Sequence, residues 1–407
     1  MLTVQAARER VLTAIEPLSP VDVPVGDALG LVLARDVVAP EALPRFSNSA
    51  MDGYAVRADD VVMASENEPV ELSVVGEVRA GSPGDVEVAP RTSVRIMTGA
   101  PIPPGADAIV PVELTSEHDG RIRIVESVAV GRHVRPAGED VAEGGVLVRA
   151  GTELSPGELA VLAAAGASPL PLRRGPRVAV LVTGDELVPP EASPGAGQIR
   201  DSNSIALRTL VAQAGGEPLP FPVVEDDRQA VREALGRAAD LADLIVTSGG
   251  VSVGGYDFIK EIVEELGSIE LWRVAMQPGK PVVLGRVGSR PLLGLPGNPV
   301  SVHVAFEQFV RPAIRKLRGC RSLLRPTVAA RLTETVRKPP GRLHFVRVRL
   351  DASGKEWTAT PTGPQGSHIQ SSLVECHGVA RFGIDETNLD EGSTVVVEVW
   401  TLPEGVE

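Results

Sequence analysis

Three glycine- and proline-rich segments carry most of the chemistry open to this sequence. Ser248-Gly249-Gly250-Val251-Ser252-Val253-Gly254-Gly255 follows an apolar run and precedes a helical pattern. Glycines there let backbone N–H groups approach an anion, and the start of the next helix favours negative charge. The segment lacks the Gly-Lys-Ser/Thr ending of a P-loop and also lacks G-x-G-x-x-G, so it reads either as an anion cradle or as a tight strand-to-helix turn. In Leu295-Pro296-Gly297-Asn298-Pro299-Val300-Ser301, Pro299 suits a first helical turn and Asn298 suits its N-cap. The N–H groups beyond would then point outward beside the Ser301 hydroxyl. Gln277-Pro278-Gly279-Lys280-Pro281 places an ammonium on a turn flanked by strands, and Lys280 is one of only five lysines among 40 basic residues.

Carboxylates are the fourth signal. Asp185, Glu186, Asp201, Asp226, Asp227 and Asp257 fall after strands or at helix starts. Such groups either cap helices or, beside phosphate-cradling loops, hold Mg²⁺. No histidine lies in the three segments, no G-x-S-x-G elbow occurs, and Cys320 and Cys376 form neither a C-x-x-C pair nor a disulfide framework. The residues by themselves describe an α/β domain that binds a phosphorylated ligand with Mg²⁺. They do not name the substrate.

The elements that must position these groups follow from periodicity. Apolar Val4, Ala7, Val11, Leu12 and Ile15 predict an amphipathic N-terminal helix. Runs 70–75, 93–97, 108–112 and 121–125, separated by Gly/Pro turns, predict a small β module. Ser155-Pro156-Gly157-Glu158 predicts a capping box, and that helix is expected to pack with the N-terminal one, the β module being inserted between them. From residue 177 buried runs alternate with helical patterns, Asn203 and Asp226 being suited as caps and 219–224 and 244–247 as strands. This predicts a doubly wound, mainly parallel sheet with ligands at its strand ends. Alternation at 344–350 and 394–400 predicts a C-terminal β domain. The expected domains are 1–40 plus 136–175, 41–135, 176–322 and 323–407.

With 407 residues, 43% hydrophobic and 23% charged, the chain is long enough for several buried cores. A net charge of −13 excludes a general nucleic-acid footprint. No run approaches a membrane span, and Arg8, Glu9 and Arg10 interrupt any leader, so a cytoplasmic protein is expected.

Eight segments in order cover nearly the whole chain: Asn48-Ser49-Ala50-Met51-Asp52-Gly53-Tyr54-Ala55, Arg95-Ile96-Met97-Thr98-Gly99-Ala100-Pro101, Gly138-Glu139-Asp140, Thr183-Gly184-Asp185-Glu186-Leu187, Asp201-Ser202-Asn203, Ser248-Gly249-Gly250-Val251-Ser252, Pro278-Gly279-Lys280-Pro281 and the segment from Leu295 to Ser301. Together they resemble the molybdopterin molybdotransferases, MoeA in bacteria and the gephyrin E domain in animals. The resemblance implies insertion of molybdate into adenylylated molybdopterin with release of AMP and with Mg²⁺, the last step of molybdenum cofactor synthesis. It also implies a central α/β molybdopterin-binding domain, a split N-terminal domain carrying an inserted β module, and a C-terminal barrel-like β domain, in a homodimer with a shared cleft. Molybdopterin adenylyltransferase and cofactor-accepting enzymes are the other expected partners, with no nucleic acid and no membrane.

Carried over by resemblance, Asp52, Thr98, Asp140, Glu186 and Lys280 are expected to be catalytic. Thr183, Gly184, Asp185, Asp226 (or its neighbour Asp227), Gly249, Gly250, Val251, Ser252, Pro296, Gly297, Asn298, Pro299 and Ser301 are expected to bind substrate, and Glu186, Asp201 and Asp257 to hold the metal. Gln277 stands where some members carry a basic residue. Gly366-Ser367-His368-Ile369-Gln370-Ser371-Ser372, with Arg342 and Arg347, matches the C-terminal pattern only loosely. Competing readings are a molybdopterin adenylyltransferase or nucleotide pyrophosphatase on the same α/β module, a tungstate-inserting paralogue, or a binding scaffold. The segments around Asp52 and Thr98 argue against the first two.

Overall fold

The computed structural model describes residues 1–250 and 258–404. At its centre lies a six-stranded sheet in the order Glu217–Pro220, Arg177–Val182, Leu244–Ser248, Arg290–Leu295, Pro281–Val287 and Gly267–Arg273. The first four strands run parallel and the last two are joined antiparallel. Successive side chains in a strand face opposite layers. Val178, Val180 and Val182 therefore enter one core, and Ala179 and Leu181 the other. Helix Asn203–Gln213 and the helical run through Pro299–Ala305, Phe306–Val310 and Arg311–Leu317 cover the first face. Helices Arg228–Leu241 and Phe258–Leu266 cover the second. The sheet is doubly wound.

Two local expectations change. The strand expected over 219–224 is Glu217–Pro220, followed by an isolated Thr183–Val224 bridge. Pro218, Pro220 and Pro222 lack the N–H a ladder needs, which suits a short edge strand. The N-terminal helix Val4–Thr13 does not pack with Pro156–Ala164. Its Val4, Ala7 and Val11, with Ile15, join the first core of the α/β domain beside Phe309, Ile314 and Leu317. Burying each of Val4, Val11 and Ile15 contributes about 1.5–3 kcal/mol.

Helix Pro156–Ala164 belongs to a separate small core with Ala28, Leu33, Leu154 and Leu170. Its capping box is present, the Ser155 N–H donating to Glu158 Oε2 at 2.9 Å. Strands Val37–Val38 and Val146–Val148 pair at the neck of the β module. The module's six-stranded sheet runs Ala108–Pro111, Gly53–Val56, Thr92–Ile96, Val70–Val78, Arg121–Ile124 and Thr115–His118. Gly53 is required there, since a Cβ would lie 2.1 Å from Val110 O.

In the C-terminal region, Leu343–Asp351, Thr358–Pro361, Thr327–Leu332, Thr394–Val399 and Gly378–Phe382 pair in turn, and the last returns to the first. The result is a closed five-stranded barrel around Val346, Val348, Ala380, Phe382 and Val397. A two-residue strand from the α/β domain, Met276–Gln277, adds in parallel to Leu343 and His344. This seam sets the barrel against the Lys280 turn. No helix among the described residues is long and apolar enough to cross a membrane.

Candidate active site

At the carboxyl ends of the parallel strands lies a cleft of about 530 Å³. Its floor comes from the three segments singled out by composition: Gly249 and Gly250, the turn from Gln277 to Pro281, and Pro296, Gly297, Asn298 and Ser301. Gly249 and Gly250 have φ of +91° and +63°, and Gly279 has φ of +101°, backbone shapes that favour glycine. The Lys280 carbonyl accepts from Val274 N–H at 2.9 Å, so the turn is tied down while the side chain stays exposed. The barrel supplies the facing wall through Arg342, Gln365, Gly366 and Ser367. Two cations, Lys280 and Arg342, thus face one cleft in a chain of net charge −13.

Asn298 sits at the N-cap position of helix Pro299–Ala305, but its side chain does not cap. Its amide instead donates to Ser367 Oγ at 3.3 Å, and Val300 N–H donates to Ser367 O at 3.2 Å. One of the helix N–H groups expected to point outward is therefore spent on the barrel. Ser301 is buried against the cleft.

The acidic residues separate into caps and free groups. Asp227, not Asp226, caps helix Arg228–Leu241, its Oδ1 accepting from Gln229 and Ala230 N–H at 2.9 Å each. Asp226 is thereby left beside Asp185, whose Oδ1 accepts the Asp226 N–H at 2.9 Å. Partial desolvation first, then the charges of Asp185 and Glu186, push the Asp226 carboxyl above its ordinary range. Glu186 folds back over Gly184, where a Cβ would meet its carboxylate at 2.6 Å. The site residue Thr183 is buried where strand Arg177–Val182 ends. Asp201 is also buried, and it caps helix Asn203–Gln213 through Ser204 N–H at 3.0 Å in place of Asn203. Among the described residues no three acidic, histidine or cysteine side chains converge as a metal cage. Val251, Ser252 and Asp257 lie outside the described residues.

Replacing Asp227 with alanine is expected to cost about 1 kcal/mol of stability, the usual value of an N-cap, with turnover unchanged. Urea denaturation measured beside an activity assay checks this. A stable but inactive Asp227→Ala would exchange the roles of the two aspartates.

Asp52, Thr98 and Asp140 lie apart from this cleft. Asp52 Oδ1 accepts both the Thr98 N–H and the Thr98 hydroxyl, each at 2.7 Å. These bonds, the backbone one foremost, hold the Asp52 carboxyl below its ordinary range. Both residues are exposed on the β module, and Asp140 is exposed near its neck. Of the wall residues, Gln365 lies outside every segment the sequence singles out. Only the loose C-terminal pattern pointed to Ser367 and Arg342.

A doubly wound domain whose strand-end cleft is completed by a barrel, with a carboxylate–threonine pair on an inserted module, is a multidomain α/β architecture. Models of the MoeA N-terminal region (domains I and II), of a probable molybdopterin binding domain and of the MoeA C-terminal region (domain IV) match residues 2–166, 179–316 and 329–400. The molybdopterin molybdenumtransferase 2 of Mycobacterium tuberculosis is 40% identical over 408 residues, covering 99% of this chain and 100% of that one. The Haemophilus influenzae molybdopterin molybdenumtransferase is 36% identical over 403 residues, 98% of each chain. A crystal structure of a molybdopterin biosynthesis MoeA protein from Pyrococcus horikoshii aligns with a TM-score of 0.86 at 32% identity, covering 98% of this chain and 99% of that one. The chain belongs to the MoeA family.

Proposed function

We propose that this chain is a molybdopterin molybdotransferase that inserts molybdate into adenylylated molybdopterin and releases AMP. The observation that carries the reading is the cleft itself, with glycine turns at the strand ends facing Lys280 and Arg342. Molybdate and a pyrophosphate-linked pterin are both anions, and a chain of −13 must neutralise them locally. Lys280 and Arg342 supply charge, while the Ser301 and Ser367 hydroxyls supply directional donors for a tetrahedral oxyanion. The Gly249-Gly250 turn brings backbone N–H groups toward the phosphates. Cleavage of the pyrophosphate is then chiefly positioning and charge stabilisation.

Mg²⁺ fits the acidic group. Asp226 lies beside Asp185 and within the field of Glu186, with no ion pair to any of the three among the described residues, and desolvation first, then those two charges, raise its carboxyl above the ordinary range. A hard cation that takes one or two carboxylates and completes its shell with phosphate oxygens relieves that repulsion. Glu186 and Asp226 would hold it, and it would neutralise charge on the phosphates. The test is incubation with adenylylated molybdopterin, Mg²⁺ and molybdate. Molybdate-stimulated AMP release is expected, and AMP release indifferent to molybdate would favour a pyrophosphatase.

Asp52, Thr98 and Asp140 act, on this reading, in the cleft of a second copy of the chain. Neither Asp52→Ala nor Glu186→Ala alone should work, but re-associated mixtures should recover roughly a quarter of wild-type activity, because half the dimers are mixed and each has one intact site. No recovery on mixing, with dimers present in sedimentation, would place Asp52 and Glu186 in the same subunit's site.

A further inference from the structure

Helix Asn203–Gln213 begins between the two loops that wall the cleft. Asn203 Nδ2 donates to Gly297 O at 2.8 Å and to Ser248 Oγ at 3.1 Å. Ser248 Oγ in turn donates to Pro296 O at 3.1 Å. Pro296 and Gly297 line the cleft, and Ser248 directly precedes the lining pair Gly249-Gly250. The same corner reaches the barrel, because Gln370 Nε2 donates to Ser202 Oγ at 2.9 Å. Asp201 caps the helix through Ser204, which leaves the Asn203 amide free for the loops.

The residue type matters. Glycine turns have wide backbone freedom, so the placing of their N–H groups depends on what holds their ends. A carboxamide supplies two N–H donors from one planar group, and an ionised aspartate of the same shape supplies none. Asn203 itself is not among the residues that line the cleft.

We propose that Asn203 is a positioning residue for the transfer reaction. By bonding Ser248 Oγ and Gly297 O together, it sets the spacing between the Gly249-Gly250 turn and the Pro296-Gly297-Asn298 loop. That spacing is the width of the slot that receives the phosphate-bearing end of the pterin substrate. The inference rests on the proposed transferase activity and adds to it the group that gauges the slot.

The test is Asn203→Asp in the full-length chain, which keeps the side-chain shape and removes both donors. The KM for adenylylated molybdopterin is expected to rise about tenfold or more, the loss associated with misplacing a charged contact. The kcat should stay within about threefold and the melting midpoint within about 4 °C of wild type, the scale of a small loss in a chain this long. An unchanged KM would overturn the proposal. Should Asn203→Asp fail to fold, Ser248→Ala carries the same test from the other end of the bond, with a smaller rise in KM expected and an unchanged KM again fatal. The double variant should show less than the product of the two single effects, because both act through one network, and full multiplication would argue against that network. Failure of the functional reading would be visible separately, as absence of turnover in the wild type.

Discussion

Asp52→Ala is expected to fold as the wild type does and to lose at least about a hundredfold in turnover, the scale of removing one preorganised electrostatic group. The residue is fully exposed in the single chain, so its removal empties no core. Its geometry is nevertheless strongly specified. One carboxylate oxygen accepts two donors from Thr98, at 2.7 Å each, and those bonds hold its carboxyl below the ordinary range. Its hydrogen bonds to Thr98, with the charge of Arg95 nearby, aim this surface carboxylate firmly. Thr98→Ala should reproduce part of the loss, since it removes the hydroxyl donor and leaves the backbone one. Thermal unfolding and AMP release measured on the same preparations decide the matter. Full turnover in Asp52→Ala would strike the residue from the site.

Lys280→Ala should raise the molybdate concentration for half-maximal turnover by roughly ten- to a hundredfold, the equivalent of about 1.5–3 kcal/mol for a charge-assisted contact to a bound anion. The Lys280 backbone is tethered through Val274 and flanked by prolines, so the ammonium is aimed from a stiff turn. Arg342 faces the same cleft from the barrel and retains part of the attraction, which favours the lower end of that range. Binding of the adenylylated pterin should weaken less, because its remaining contacts lie on the glycine turns. Titration of molybdate and of the pterin in separate series distinguishes the two. An unchanged molybdate dependence with pterin binding lost would move Lys280 to the phosphate site.

Much of this arrangement is legible in the residues. Apolar runs such as Arg177–Val182 and Leu244–Ser248, bounded by turn residues, read as strands buried on both faces and are so, and residues of all three glycine-bearing segments line one cleft. What escaped the sequence depends on contacts between distant residues. Arg342, Gln365 and Ser367 reach the cleft because Gln277 pairs with His344 across a two-residue ladder, too short to leave a periodic pattern. Asp226 and Asp227 are adjacent and chemically alike, and only the helix register decides which one caps. The stripe on the N-terminal helix announces burial without naming the surface that buries it.

That helix has a consequence for synthesis. It packs on the helical runs Phe306–Val310 and Arg311–Leu317, so it finds its place only after residue 317 has been made. At about 5–20 residues per second, residue 317 follows residue 13 by roughly 15–60 s. Throughout that interval Val4, Ala7, Val11 and Ile15 form an apolar stripe with nothing to cover it, while the split small core and the inserted sheet assemble downstream. Chains that stop short of residue 317 are therefore expected to aggregate more readily than the full chain, which light scattering of the two preparations checks.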